Sequence, residues 1–288
     1  MKIVILGGTG LIGSSLKEDL LSDHEVECFG RDAFNSPNKL LSHLKGSDLV
    51  IQLSGSTIAK RWTKKHLKEV WKSRVDANNM LAKAIKLLTK KPRVICASGV
   101  GYYPESNCEN PLQETDNEPG NDYMAKLSIA WEDAAKSIST DVIILRFGVV
   151  LSRKGGVLKK LYLPYFLGLG GPIKDGTSCF SWIHIKDLIK VFNFIMSKPD
   201  VSGIYNVTSP TPIQQKYFGR ALARALKRPF IVPLFEWQLK LLFGSGSRVL
   251  TQSVSVFPRR LIDEGFGFDF PEIESAMSDL LQSNYYSF

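Results

Sequence analysis

The residues with the plainest chemical purpose stand at the start of the chain. Residues 3–13 read IVILGGTGLIG, with Gly7, Gly10 and Gly13 directly after four apolar residues. Glycine inside an element costs about 0.5–1 kcal/mol relative to alanine, so a cluster needs a compensating use. A strand, then G-x-x-G-x-x-G, then an amphipathic helix supplies one. The glycines allow a tight turn, let backbone N–H groups approach a pyrophosphate, and permit close helix–strand packing. The helix N-terminus then faces the phosphates with its positive dipole end. Thr9, Leu11 and Ile12 complete this expected dinucleotide cradle. The competing reading is a glycine-rich turn with no ligand.

The second apolar run ends Cys28-Phe29-Gly30-Arg31-Asp32. A carboxylate at such a strand tip takes the ribose 2′-hydroxyl of NAD, whereas an arginine accommodates the 2′-phosphate of NADP. Arg31 precedes Asp32, so the guanidinium is the better placed and the expected cofactor is NADP; the alternative leaves Arg31 an ordinary surface residue. The third run ends Leu53-Ser54-Gly55, small residues against which the adenosine half can lie. Glu69 and Arg74 on the following helix read equally well as exposed charges and as cofactor contacts.

The elements that must position these residues follow a βαβ rhythm. Strands are expected at 3–6, 25–29, 49–53, 94–97 and 142–147, and helices at 14–22, 65–88 and 123–137. Residues 101–122, rich in Pro, Asn and acidic side chains, form a loop. After residue 150 the pattern loosens. A short helix breaks into the glycine–proline turn GLGGPI, SWIHI is strand-like, Asp187 is placed to cap a helix over 188–198, and GIYNVT is one more strand. Residues 214–227 and 272–282 carry helical apolar spacing. The expected fold is α/β, a doubly wound parallel sheet with a smaller mixed C-terminal lobe. Residues 1–150 and 184–208 would form the nucleotide-binding domain, and 151–183 with 209–288 the substrate lobe.

Composition narrows the classes. A hydrophobic content of 44% with 23% charged residues is that of an ordinary globular protein. The net charge of +9 is spread along the chain rather than pooled. With no helix-turn-helix, finger or aromatic–basic platform, nucleic acid is not an expected partner; a basic mouth attracting an anionic cofactor fits the same charge. No basic, apolar and small-residue leader opens the chain, and no apolar run reaches the roughly 20 residues of a membrane span. Cys28, Cys96, Cys108 and Cys179 lie far apart, a pattern read as neither zinc site nor disulfide framework and as fitting a reducing cytoplasm.

GGTGLIG, LSGSTIAKRW, ASGVGYY, the Trp131-Glu132 pair, RFGVVLS, GLGGPI, SWIHIKDL, YNVTSPTP and GFGFDFPEIESA occur in this order. The chain thereby resembles, over essentially its whole length, the atypical extended short-chain dehydrogenase/reductases known as epimerase family proteins, some of which carry a cell-division-inhibitor label. The resemblance implies a Rossmann domain, a C-terminal lobe, bound NADP(H), and a cofactor lined by Leu53, Ser54, Glu69 and Arg74. It names no substrate.

Short-chain reductases set a tyrosine as acid/base, a lysine four residues on and an upstream serine, because a phenol of pKa near 10 needs a cation's help at neutral pH. Here Tyr123 and Lys126 stand three apart, and matching Trp131-Glu132 to the related epimerases puts the Tyr and Lys positions on Met124 and Ser128. A standard triad is therefore not expected. Ser98, Tyr102 and Tyr123 are the candidates for handling the substrate oxygen, against a reading in which Ser98 satisfies backbone groups and the tyrosines pack. The arginine that grips a sugar nucleotide's phosphate is replaced by Phe180, which argues for a smaller or more apolar substrate. His184, alone on its run, reads as a buried hydrogen-bonder rather than a base, and without clustered partners no metal is expected.

Two functions survive. One is an NADP-dependent oxidoreductase or epimerase-like enzyme passing hydride to or from an unidentified small carbonyl or alcohol, and the damaged Tyr/Lys spacing is its weak point. The other is a non-catalytic protein that senses NADP(H) and regulates a partner. The sequence assigns neither substrate nor oligomeric state.

Overall fold

Strands buried on both faces read as near-continuous apolar runs; four such runs and the partly buried, alternating edge run EVECF build most of the central sheet. In the computed structural model, which describes residues 1–58, 60–173, 175–233, 241, 244 and 252–282, these are β1 (Lys2–Leu6), β2 (Glu25–Phe29), β3 (Leu49–Gln52), β4 (Arg93–Gly99) and β5 (Ile143–Phe147). With β9 (Gly203–Val207) they form a six-stranded parallel sheet of order β2-β1-β3-β4-β5-β9. The order reverses beside β1, the switch point at which open α/β sheets bind ligands beyond their carboxyl ends.

Helices α1 (Leu11–Leu20) and α7 (Ile185–Met196) cover one face through Leu16, Leu20, Leu188 and Phe192. Helices α2 (Pro37–Leu44) and α4 (Ala77–Lys86) cover the other through Leu40, Leu44, Leu81 and Ile85. The expected 65–88 helix is three pieces: α3 (Lys64–Trp71), a π-helical turn over Lys72–Asp76, and α4. The wider turn carries Arg74 and Val75 inward together, which a regular 3.6-residue period read from sequence does not anticipate. Helix α5 (Tyr123–Lys136) matches the expected span closely and starts on Asp122, whose carboxylate accepts from the Ala125 N–H at 2.9 Å.

The lobe pairs β6 (Val149–Ser152) with β8 (Trp182–His184) in parallel, and β7 (Cys179–Phe180) with β10 (Ile213–Gln214) antiparallel. Helices α6 (Gly156–Phe166), α8 (Gln215–Ala225) and α10 (Ile273–Gln282), with α9 (Arg259–Asp263) before the last, complete it. The lobe's core gathers around Trp182, Tyr165, Phe218 and Met277. Two expectations are corrected here. His184, not Asp187, caps α7, its Nδ1 accepting from the Lys186 N–H at 3.1 Å. Asp187 lies buried in the first turn and accepts instead from the N–H groups of Asp269 and Phe270, a long-range use invisible to local spacing. The cysteines are also not all independent: Cys108 and Cys179 form a disulfide across 71 residues, their Cα atoms 5.6 Å apart, because the 101–122 loop folds onto β7. No helix among the described residues is long and apolar enough to cross a membrane.

Candidate functional site

Beyond the carboxyl ends of β1, β3, β4 and β5 a cleft of about 460 Å³ runs from the glycine turn to the lobe. Its first half is made of backbone. Gly7 has φ +88°, and a Cβ there would lie 2.7 Å from the Leu53 carbonyl carbon. A Cβ on Gly13 would lie 2.5 Å from the Gly7 oxygen, so both glycines are required by the close approach of neighbouring backbone. Gly10 caps α1 without any side-chain bond, and the first N–H groups of a helix have no acceptor of their own. Leu11, Ile12 and Gly13 carry that turn into the cleft wall, with Leu53, Ser54 and Gly55 opposite.

Thr9, Gly30 and Arg31 flank the cleft's outer end instead of lining its interior: Thr9 Oγ1 sits 3.8 Å from where a Gly30 Cβ would be. Arg31 is exposed at the tip of β2. Its neighbour Asp32 is paired with Lys39 at 2.8 Å, and that hydrogen bond and charge hold its carboxyl below the usual range. Glu69 points into solvent beside His66, at 3.7 Å.

Arg74 is only 8% exposed and lines the cleft. Its Nη1 donates to the Ser56 carbonyl at 2.9 Å and its guanidinium lies 5.0 Å from the Trp131 ring centroid. Its Nε is buried without a partner, and no ion pair to a carboxylate is found for it among the described residues. Burial pushes its pKa down to about 10, because the low-dielectric surroundings disfavour the charged form. Gly55 makes room: a Cβ there would lie 3.0 Å from the guanidinium carbon.

The second half of the cleft is made of side chains. Met124, Leu127, Ser128 and Trp131, spaced to share one face of α5, meet Phe147, Val149 and Val157 and the lobe residues Cys179, Phe180 and Val254. The positions that the resemblance assigns to tyrosine and lysine, Met124 and Ser128, thus do lie in the wall. Ser98 lies in it too, but its hydroxyl donates to Glu132 Oε1 at 2.8 Å. Glu132 is clasped by Arg146 through two bonds of 2.7 and 2.8 Å. Burial alone would lower the Arg146 pKa; the Glu132 bonds and charge outweigh that and raise it. The same guanidinium lies 3.5 Å from the Tyr102 ring centroid, while the Tyr102 hydroxyl donates to the Asn117 carbonyl at 3.1 Å. Tyr123 is half-buried, its hydroxyl donating to the Leu67 carbonyl at 3.2 Å; burial raises its pKa.

The structure therefore brings Gly7, Gly10, Leu11, Ile12, Gly13, Leu53, Ser54, Gly55, Arg74 and Ser98 to one cleft. Sequence reasoning missed Leu127, Val149, Val157 and Val254 in its wall. The i, i+3, i+4, i+7 spacing from Met124 to Trp131 was the available signal; the lobe residues offered none. His184 belongs to a separate cleft of about 760 Å³ between α1, α7 and the lobe. It is fully buried, stacked on Phe270 and 3.2 Å from Asp279.

A glycine turn at the switch point of a parallel sheet, continuous with a lobe-walled cleft, defines a Rossmann-type protein of the extended short-chain dehydrogenase/reductase architecture. The NAD dependent epimerase/dehydratase family matches residues 3–208, and this chain belongs to it. A domain of unknown function matches residues 234–280. The chain is 35% identical to the mouse epimerase family protein SDR39U1, over 98% of this chain and all of the relative. It is 32% identical to an epimerase family protein of Staphylococcus aureus, over 96% and 98% of the two chains. The crystal structure of human SDR39U1 (isoform 2) with NADPH is similar at a TM-score of 0.88 and 30% identity, covering 99% of this chain and all of that one.

Proposed function

We propose that this protein binds NADP(H) in the glycine cleft and acts as an oxidoreductase or epimerase-like enzyme on a small, largely apolar carbonyl or alcohol. The observation that carries the cofactor choice is the tip of β2. Asp32, the carboxylate that would take an NAD ribose, is engaged by Lys39, while no described residue is found paired with the Arg31 guanidinium beside it. The cradle's chemistry suits a diphosphate: Gly7 and Gly13 keep the turn close-packed against its neighbours, and the buried Arg74 Nε lacks a partner. The NADPH in the human relative's structure agrees with this reading.

When bound, the nicotinamide supplies hydride transfer. The chain's own part is orientation. Gly7, Gly10 and Gly13 admit the diphosphate, Arg74 offers its charge beside Ser54 and Gly55, and Met124, Phe180 and Val254 shape an apolar seat that excludes water. Ser98 is assigned to the substrate oxygen because it alone of Ser98, Tyr102 and Tyr123 lines the seat. With its proton given to Glu132, its oxygen keeps acceptor capacity for a substrate hydroxyl. A cytoplasmic location and the division into a nucleotide domain and a substrate lobe belong to the same proposal.

A second reading has an observation in its favour. With Met124 and Ser128 at the acid/base positions and Ser98 committed to Glu132, the cleft could hold NADP(H) without turning anything over, as a sensor for a partner. Calorimetry and turnover separate the cases. NADPH should bind the wild type far better than NADH, and Arg31→Ala should lose about tenfold or more of NADPH affinity alone, as expected for a charge-assisted bond of about 1.5–3 kcal/mol. Equal binding of both dinucleotides would end the NADP proposal. NADPH oxidation by a panel of small carbonyls, lowered by Ser98→Ala and unaffected by Tyr123→Phe, would support the enzyme. No turnover together with partner capture that differs between NADP+ and NADPH would support the sensor.

A further inference from the structure

The disulfide occupies a position that the cofactor reading leaves unused. Cys179 is 2% exposed and forms part of the cleft wall next to Phe180 and Ser181. Cys108 is half-buried on the segment joining β4 to α5. That segment is already stitched to residues 253–257 on either side of the cysteine. The Ser106 N–H donates to the Ser253 carbonyl and the Leu112 N–H to the Ser255 carbonyl, both at 2.9 Å, and the Phe257 N–H donates back to Leu112 at 2.8 Å. Ser253 Oγ ties together the two segments that carry the bond, donating to the Ser106 carbonyl at 2.7 Å and accepting from the Cys179 N–H at 2.9 Å.

Between those stitches the chain turns about Asn107, whose Oδ1 accepts from the N–H groups of Glu109 and Asn110. Glu109 and Asn110 are exposed. The one covalent fastening of this turn is the bond to Cys179. One sulfur thus belongs to a half-buried residue in an exposed turn while the other belongs to the wall of the cleft. Such a bond can be attacked from outside and report inside.

We propose that Cys108–Cys179 is a reversible thiol–disulfide site, opened by a dithiol reductant and closed by a disulfide oxidant, and that it sets how firmly residues 107–111 are fastened to the cleft wall. The inference rests on the proposed function only in treating this cleft as the ligand's. In the opening step a thiolate of the reductant attacks Cys108 Sγ, the S–S bond breaks, and Cys179 leaves as a thiolate that takes a proton from water. The reductant's second thiolate then attacks its own sulfur in the mixed disulfide. Cys108 is released as a thiolate and the two electrons remain with the protein's pair, while the reductant departs as its cyclic disulfide. Reduction frees the turn and leaves a thiol facing the cleft.

The test uses the full chain equilibrated in mixtures of reduced and oxidised dithiothreitol, quenched with iodoacetamide under denaturing conditions and weighed. Of the four cysteines, two should be alkylated at the oxidising end and all four at the reducing end, with a linked peptide joining Cys108 to Cys179 in the oxidised map. Cleavage after Glu109 by a glutamate-specific protease should rise severalfold on reduction. Cys108→Ser should cleave at the reduced rate in both buffers, and Cys28→Ser should behave as wild type. Four alkylated thiols under oxidising conditions, or cleavage that ignores the redox state in the wild type, would overturn the proposal. NADPH calorimetry on the same samples keeps the cofactor reading separate, since failure to bind NADPH leaves the thiol count and the cleavage ratio unchanged.

Discussion

The clefts of about 760 and 460 Å³ described above differ in how far their charged side chains are paired. In the larger one, Lys154 meets Glu18, Lys186 meets Asp279 and Lys190 meets Asp269, while Asn193 donates to Asp19. These contacts join α1 and α7 to each other and to residues 154, 269 and 279. In the smaller one the buried Arg74 has no ion pair among the described residues, its Nε is left without a partner, and α1 begins on Gly10 with no side-chain cap. Buried polar groups left unpaired cost about 1–3 kcal/mol each, and an acceptor placed beside the Arg74 guanidinium would recover that cost. The smaller cleft thus holds a buried cation with no counter-charge among the described residues, whereas the larger one is closed by ion pairs.

The comparison is tested hardest beneath the smaller cleft, where Glu132 and Arg146 are both nearly inaccessible. Arg146→Met should destabilise the protein by about 3–5 kcal/mol in denaturant melts, because an uncompensated carboxylate is left behind. A loss below about 1 kcal/mol would mean that the floor is not held by this pair.

Next in size is a pH effect confined to the larger cleft. Burial, opposed by Asp279 and assisted by Lys186, lowers the His184 pKa from 6.5 to about 4. The folded state therefore favours neutral imidazole. Its contribution is present above pH 6.5 and is lost as the pH falls toward 4, by up to about 3 kcal/mol. His184→Gln should flatten that acid limb and leave NADPH affinity alone; a changed affinity would make the larger cleft part of the ligand site.

Gly13→Ala comes third. Its Cβ would meet the Gly7 carbonyl oxygen, and about 1–3 kcal/mol of overpacking should appear as a tenfold or greater loss of NADPH affinity by calorimetry. Unchanged affinity in a folded variant would remove the cradle. The smallest effect is expected at Lys154→Met, whose partner Glu18 is well exposed: under about 1 kcal/mol of stability and unchanged NADPH binding. A larger penalty would show that the surface pairs do more than tie α1 to residue 154.

Much of this was legible in the chain because it is local. The apolar runs of β1 to β5 and the glycine turn announce themselves, since strand burial and close backbone approach restrict residue type position by position. The face of α5 was legible in period but not in purpose. Asp187 illustrates the limit: its placement before an apolar run suggests a cap, yet its carboxylate serves residues 269 and 270. The π-helical turn that buries Arg74 has no period to betray it.

By itself, then, the amino-acid order determined the parallel sheet and the glycine turn that follows its first strand, both consequences of near-neighbour sterics and backbone geometry. Only the tertiary structure decided that Lys39 occupies Asp32, that Ser98 gives its proton to Glu132, and that Cys108 meets Cys179. Each of these depends on two distant side chains arriving at one place, and spacing along a chain carries no record of distance across it.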